Sequence, residues 1–197
     1  MRLTKRLVLA SRSPRRIHLL RQIGLKADVI PADTKEEIDP ALSPAENAAA
    51  LALQKAQDVG REVEDAIVVA ADTIVEINGT LLGKPADHEE AVRMLRMLSG
   101  RTHTVYTGIA LLDKPSNRYR TDVEITLVTF RVLPQEEIEE YVAGGSPMDK
   151  AGAYGIQDDY GAVFVTRIEG CFYNVMGFPL SRLYLSLQEF QNQLMKS

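Results

Sequence analysis

Six ionisable side chains in this sequence are of the types that handle a phosphate chain: Arg15, Arg16, Lys55, Lys84, Glu36 and Asp72. Two arginines and two lysines can neutralise phosphate charge. Two carboxylates can hold a hard divalent cation, because Mg²⁺ takes one or two carboxylates and completes its shell with substrate phosphates. Phosphoryl chemistry depends more on positioning and charge neutralisation than on covalent catalysis. A carboxylate beside such an ion can also take the proton of an attacking water.

Each of these residues also has a plainer reading, and for Lys84 it is that a lysine before proline in a turn is commonplace. Ser13 reads as a helix N-cap with Pro14 at the first helical position, so Arg15 and Arg16 fall in the first turn. Cations there oppose the helix dipole at a cost of about 0.3–1 kcal/mol each. Either the arginines are simply solvated, or an anion held by Ser11, Ser13 and the two guanidinium groups removes the conflict. Lys55 falls in the apolar stripe Ala48, Leu51, Ala52 and Val59 of the next helix. It either snorkels to the flank or points inward at an acid or a phosphate. Asp72 ends the apolar run Ile67–Ala71, which puts a carboxylate at the carboxyl end of a central strand, where open α/β sheets line their ligand crevice. A structural cap is the other reading. Glu36 and Glu37, in the loop after the second strand, could approach the same edge or be solvated.

Composition narrows the field. A formal charge of −4 with 45% hydrophobic and 25% charged residues describes an ordinary globular chain and argues against a general duplex binder. The single cysteine, Cys171, forms no internal disulfide, and no apolar run approaches the ~20 residues of a membrane span or forms a signal peptide, so a cytoplasmic protein with no membrane partner is expected. His18, His88, His103 and Cys171 show no metal-ligand spacing, and neither a Walker loop, a G-x-S-x-G elbow nor a G-x-G-x-x-G turn is present.

The elements that must position these groups alternate between strand and helix. Strands are expected at Leu7–Ala10, Ala27–Pro31 and Ile67–Ala71, and helices at Ser13–Ile23, Ser43–Val59 and His88–Leu98. Ser43-Pro44-Ala45-Glu46 is a capping box, and Asn78-Gly79 marks a hairpin. Two long strands follow around a polar turn at residues 113–118, then a helix from Pro134 to Ala143. The stretch GGSPMDKAGAYGIQDDYG reads as a loop, AVFVTRIEGCFYNVM as hairpin-like, and a last helix begins near Pro179. This is α/β organisation with a mixed sheet and no linker typical of a domain boundary.

The segments LASRSPRR, QKA, AADTIV, GKP, LSGRTH, DKAGAYGIQ and VMGFPL, in this order, resemble the Maf family of nucleoside triphosphate pyrophosphatases. The likeness runs from Leu7 to the start of the last helix. It implies a single domain over residues 1–197: a mixed twisted sheet with helices, two lobes around a central cleft, related to the inosine triphosphate pyrophosphatases. It implies hydrolysis between the α- and β-phosphates with a divalent cation, Mg²⁺ or Mn²⁺, and a homodimer. DKAGAYGIQ is similar to the subfamily acting on dTTP and UTP. Position by position, the resemblance makes Asp72 the catalytic base, Arg15, Thr73 and Gln157 the specificity residues, and Ser11, Arg16, Glu36, Lys55 and Lys84 phosphate- or metal-handling residues, with Glu36 and Asp72 on the metal side. Gln157 suits thymine and uracil chemically, since an amide accepts from N3–H and donates to O4, a pattern that cytosine reverses. A regulator of cell division and septum formation that binds nucleotides without turning them over is the alternative that the same resemblance carries.

Overall fold

The computed structural model describes residues 3–157 and 160–196; Asp158 and Asp159, within the expected glycine-rich loop, lie outside the described residues. In chain order the elements are β1 (Leu7–Leu9), α1 (Pro14–Gln22), β2 (Asp28–Val29), α2 (Pro44–Val59), β3 (Ala66–Ile77), β4 (Thr80–Leu82), α3 (His88–Leu98), β5 (Thr102–Lys114), β6 (Tyr119–Phe130), α4 (Gln135–Ala143), β7 (Val165–Glu169), α5 (Phe172–Val175) and α6 (Leu180–Met195). Among the described residues seven strands form one mixed sheet in the order β2-β1-β3-β5-β6-β7, with β4 paired to β3. β1 lies parallel to both β2 and β3, while β3–β4 and β6–β7 are antiparallel. No helix among the described residues is long and apolar enough to cross a membrane.

The chain divides into two compact units, and β3, β5 and β6 contribute residues to each. The first unit runs to Asp72 and takes in Thr107–Glu124 and the chain from Gly177 onward. Its core joins the alanine-rich face of α2 (Ala52, Ala56, Val59) to Val8, Val68, Ala70, Ala110 and Leu112. Small side chains let the helix come close to the sheet. The closest approach is at Gly108, where an added Cβ would stand on the Ala48 carbonyl and 2.5 Å from the Ala49 nitrogen. The capping box at Ser43 and Glu46 fixes where this helix starts.

The second unit comprises Thr73–Tyr106 and Ile125–Met176. α3 and α4 pack their apolar faces into a core that includes Val75, Leu95, Val105, Val128, Phe130, Tyr154 and Phe164. The Asn78-Gly79 turn forms as expected, with both residues at positive φ and Ile77 paired to Thr80.

Three expectations are corrected. Asp72 is the seventh of twelve residues in β3 rather than its last, because the hairpin to β4 continues the strand beyond the Leu9–Val69 end of its parallel pairing with β1. The glycine-rich loop contains 3₁₀ turns at Ser146–Asp149, Ala151–Ala153 and Tyr160–Phe164. The hairpin-like segment is one strand, β7, followed by the short helix α5. At Gly170 (φ +124°) the chain folds back, and Thr126 Oγ1 takes the Cys171 N–H at 3.0 Å and donates to the Cys171 carbonyl at 3.2 Å. Asn174 Nδ2 then donates to the Val105 carbonyl and to Thr126 Oγ1, both at 3.0 Å, which anchors a helical turn where a second strand would have run.

His103 stands in the core of the second unit, edge-on to Phe130 and Tyr154, with Nε2 2.8 Å from the Tyr154 hydroxyl. Burial lowers its pKa from 6.5 to about 4. The unfolded chain therefore takes up a proton as pH falls below 6.5 while the folded chain stays neutral until about 4. The contribution is intact above that window and disappears progressively through it, by about 3 kcal/mol in all. Denaturant unfolding at pH 7 and pH 4.5 should show this loss in the wild type and a clearly smaller one in His103→Gln; equal losses would remove His103 as the cause.

Candidate active site

α2 is the element on which the charged groups of the first unit converge. Its stripe Ala48, Leu51, Ala52, Lys55 and Val59 is buried throughout, so the Lys55 stem is enclosed and its ammonium has to find acceptors. It finds two. Lys55 Nζ donates to Glu36 Oε1 at 2.5 Å and to Asp72 Oδ1. The Lys55 and Asp72 side chains are 10% and 9% exposed and that of Glu36 is 37% exposed, so one end of this triad is dry and the other reaches solvent. Of the two readings of Lys55, the inward one is what the structure has.

The start of α1 supplies the cationic side. Ser13 caps the helix, its hydroxyl accepting from the Arg16 N–H at 3.5 Å, and the buried Ser11 hydroxyl accepts from the Ser13 N–H at 3.1 Å. Arg16 Nε donates to the Gly177 carbonyl at 2.8 Å, which ties the guanidinium to the residue that precedes α6 by three positions. Burial holds Arg16 below the ordinary arginine pKa; Asp72 and Glu36 act against that shift and Arg15 adds to it. The guanidinium remains charged, and it lies within electrostatic reach of both carboxylates. Arg15 is half-buried beside it.

The loop that carries Glu36 is irregular from residue 30 to residue 39, yet it is held to α2 on both sides of that residue. Asp58 Oδ2 accepts from the Asp33 N–H at 2.8 Å. Asn47 Oδ1 accepts from the Asp39 N–H at 2.8 Å, and Asn47 Nδ2 donates to the carbonyls of Asp39, Leu42 and Ser43 at 2.9, 3.1 and 3.2 Å. Sequence reading missed both residues. Nothing in the sequence marked them: an asparagine beside the stripe at Ala48 is indistinguishable from any polar residue near a helix start until the loop is seen.

Thr73, Lys84 and Gln157 belong to the second unit. Thr73 follows Asp72 directly on β3 and is half-buried, as is Gln157, while Lys84 is exposed. The segments bearing Lys84 and Gln157 are joined through their backbones, since the Gly152 N–H donates to the Gly83 carbonyl at 3.0 Å. Gly152 takes φ +70°, and an added Cβ would come within 3.1 Å of the Val75 side chain, so this turn presses on the second half of β3.

Glu36 and Asp72 fit a divalent cation as donors. Both offer carboxylate oxygens and both pair with the Lys55 ammonium, and one or two carboxylates are what a hard ion such as Mg²⁺ takes when phosphate oxygens complete its shell. Among the described residues no group of three or more His, Cys, Asp or Glu side chains forms a cage of its own.

Comparison with known proteins finds relatives along nearly the whole chain. The family profile described as Maf-like protein matches residues 6–190. A dTTP/UTP pyrophosphatase of Carboxydothermus hydrogenoformans is 48% identical, over 94% of this chain and 98% of the relative. One from Caldicellulosiruptor saccharolyticus is 46% identical over 98% of each, and one from Pelotomaculum thermopropionicum is 49% identical over 94% and 97%. With a family match over nearly its whole length and relatives this similar end to end, the chain belongs to the Maf family.

Proposed function

We propose that this protein is a nucleoside triphosphate pyrophosphatase that hydrolyses dTTP and UTP to the monophosphate and pyrophosphate. The observation that carries the reading is the Lys55 ammonium shared by Glu36 and Asp72 in a chain whose relatives, at 46–49% identity, are named for this activity. The catalytic proton acceptor is Asp72, which takes a proton from water as the water oxygen attacks the α-phosphorus. The bond from that phosphorus to the bridging oxygen breaks, and pyrophosphate leaves with the bond's electron pair. Lys55, Arg16, Lys84 and the Ser11 and Ser13 hydroxyls bind phosphate oxygens. Arg15, Thr73 and Gln157 select the nucleotide, with the Gln157 amide set to pair with N3–H and O4 of thymine or uracil.

Glu36 and Asp72 would hold a Mg²⁺ or Mn²⁺ ion, which neutralises charge on the phosphate chain when bound. Lys55 keeps the two carboxylates from repelling one another before nucleotide and metal arrive. The chain works as a single domain, as its one continuous family match suggests. On the family resemblance we also infer a homodimer, and on cysteine usage, charge and the absence of a long apolar run a cytoplasmic protein with no nucleic-acid or membrane partner.

Incubation with each nucleoside triphosphate and Mg²⁺ or Mn²⁺ should release pyrophosphate from dTTP and UTP and leave CTP nearly untouched. Orthophosphate as the product would overturn the bond assignment, and no turnover of any pyrimidine triphosphate would overturn the function. Asp72→Asn should lower kcat by about 10²–10⁴-fold, the usual worth of a positioned base, with the fold unchanged. A cellular effect on division that survived in this variant would favour the regulatory alternative. Arg15→Ala should weaken nucleotide handling with thermal stability unchanged or slightly raised, since it removes a cation from a positive helix end; a marked drop in Tm would make the arginine structural. Gln157→Glu should reduce use of UTP, because an acceptor-only group then faces O4; unchanged selectivity would remove Gln157 from base recognition.

A further inference from the structure

We propose that Asn47 and Asp58 are positioning residues for Glu36, which makes α2 a template that sets the loop before it as well as the source of Lys55. The proposal rests on the role given to Glu36 above. Asn47, Lys55 and Asp58 are spaced by eight and three residues, which puts all three along one side of a helix of 3.6 residues per turn. Each holds a different point of the same loop: Asp58 the Asp33 N–H, Lys55 the Glu36 carboxylate, and Asn47 the Asp39 N–H and carbonyl. Glu36 lies midway between the two backbone anchors.

The chemistry of the anchors argues for a positioning task. Asn47 is 2% exposed, and its amide is fully engaged, with the oxygen on one loop N–H and the nitrogen on three carbonyls around the turn into α2. A buried amide satisfied on both sides tolerates neither a shift of the loop nor a swap of donor for acceptor. A carboxylate on an unanchored irregular loop would sample many positions and lose most of its worth as a ligand, because ligating carboxylates depend on the groups that hold them. The loop contains no helix or strand to hold Glu36 in place. The two anchors supply that order, and Lys55 takes the final place on the carboxylate itself.

The test uses the full-length protein. Asn47→Ala should speed hydrogen exchange of the segment 33–42 and lower kcat/KM for UTP by about tenfold or more, the range seen when the support of a ligating group is removed. In a Glu36→Gln background the same substitution should add little further loss, since the group it positions is already disabled. Asp58→Ala should act in the same direction, while Asp58→Asn, which keeps an oxygen acceptor for the Asp33 N–H, should retain most of the activity. The Asp58 pair also keeps the proposal testable should Asn47→Ala fail to fold. Additive losses in the double variant, equal loss in both Asp58 variants, or unchanged exchange of the loop in Asn47→Ala would overturn the proposal. Absence of turnover in the wild type would count against the function instead, and the exchange measurement would still decide whether the anchors hold the loop.

Discussion

The arrangement depends on one buried cation. Lys55 occupies a position that the helix pattern reserves for an apolar side chain, and an ammonium without partners there would be costly to enclose. The cost is met by two carboxylates from different parts of the chain, Glu36 from an irregular loop and Asp72 from β3. The same contact solves the opposite problem for the acids, which would repel one another if brought together alone. Such a pairing is poor evidence for added stability, because dehydration of the charges offsets much of their attraction. Its value lies in fixing where the oxygens point.

Three local features hold α2 in place. The capping box fixes where the helix begins, the alanines at positions 48, 52 and 56 let it lie close to the sheet, and Gly108 allows backbone to meet backbone. With the helix located, Lys55 has little freedom, and Arg16, tied to the Gly177 carbonyl, lies within electrostatic reach of both acids. The second unit uses a different device. There the Gly152–Gly83 hydrogen bond and the close fit of Gly152 on Val75 set the backbone that carries Lys84 and Gln157, and the aromatic packing around His103 fills the interior.

Much of this was legible in the chain. The Ser13 and Ser43 caps, the Asn78-Gly79 turn and the stripe of α2 are local signals with local causes, and they formed where the residues said they would. Lys55 was conspicuous because a charge in an apolar stripe demands an explanation. What could not be read was set by distant partners. Asp72 looked like the end of a strand because the apolar run stops there, whereas pairing with β4 carries the strand on. The segment after β7 alternates like a hairpin, but Thr126 and Val105 capture it as a helical turn. Asn47 and Asp58 were silent because a polar residue near either end of a helix is ordinary until a loop is found lying across it.

The first unit is assembled from three stretches that are far apart along the chain, and the Arg16 guanidinium is held by a carbonyl at position 177. During synthesis, therefore, α1 and the triad can form early, but the arginine lacks its anchor until nearly the whole polypeptide has emerged. Long sequence separation of this kind slows folding, since the ends must meet before the contact contributes anything. A ribosome-bound fragment stopping short of Gly177 would carry every acid and base of the first unit's site and still present Arg16 without its tether.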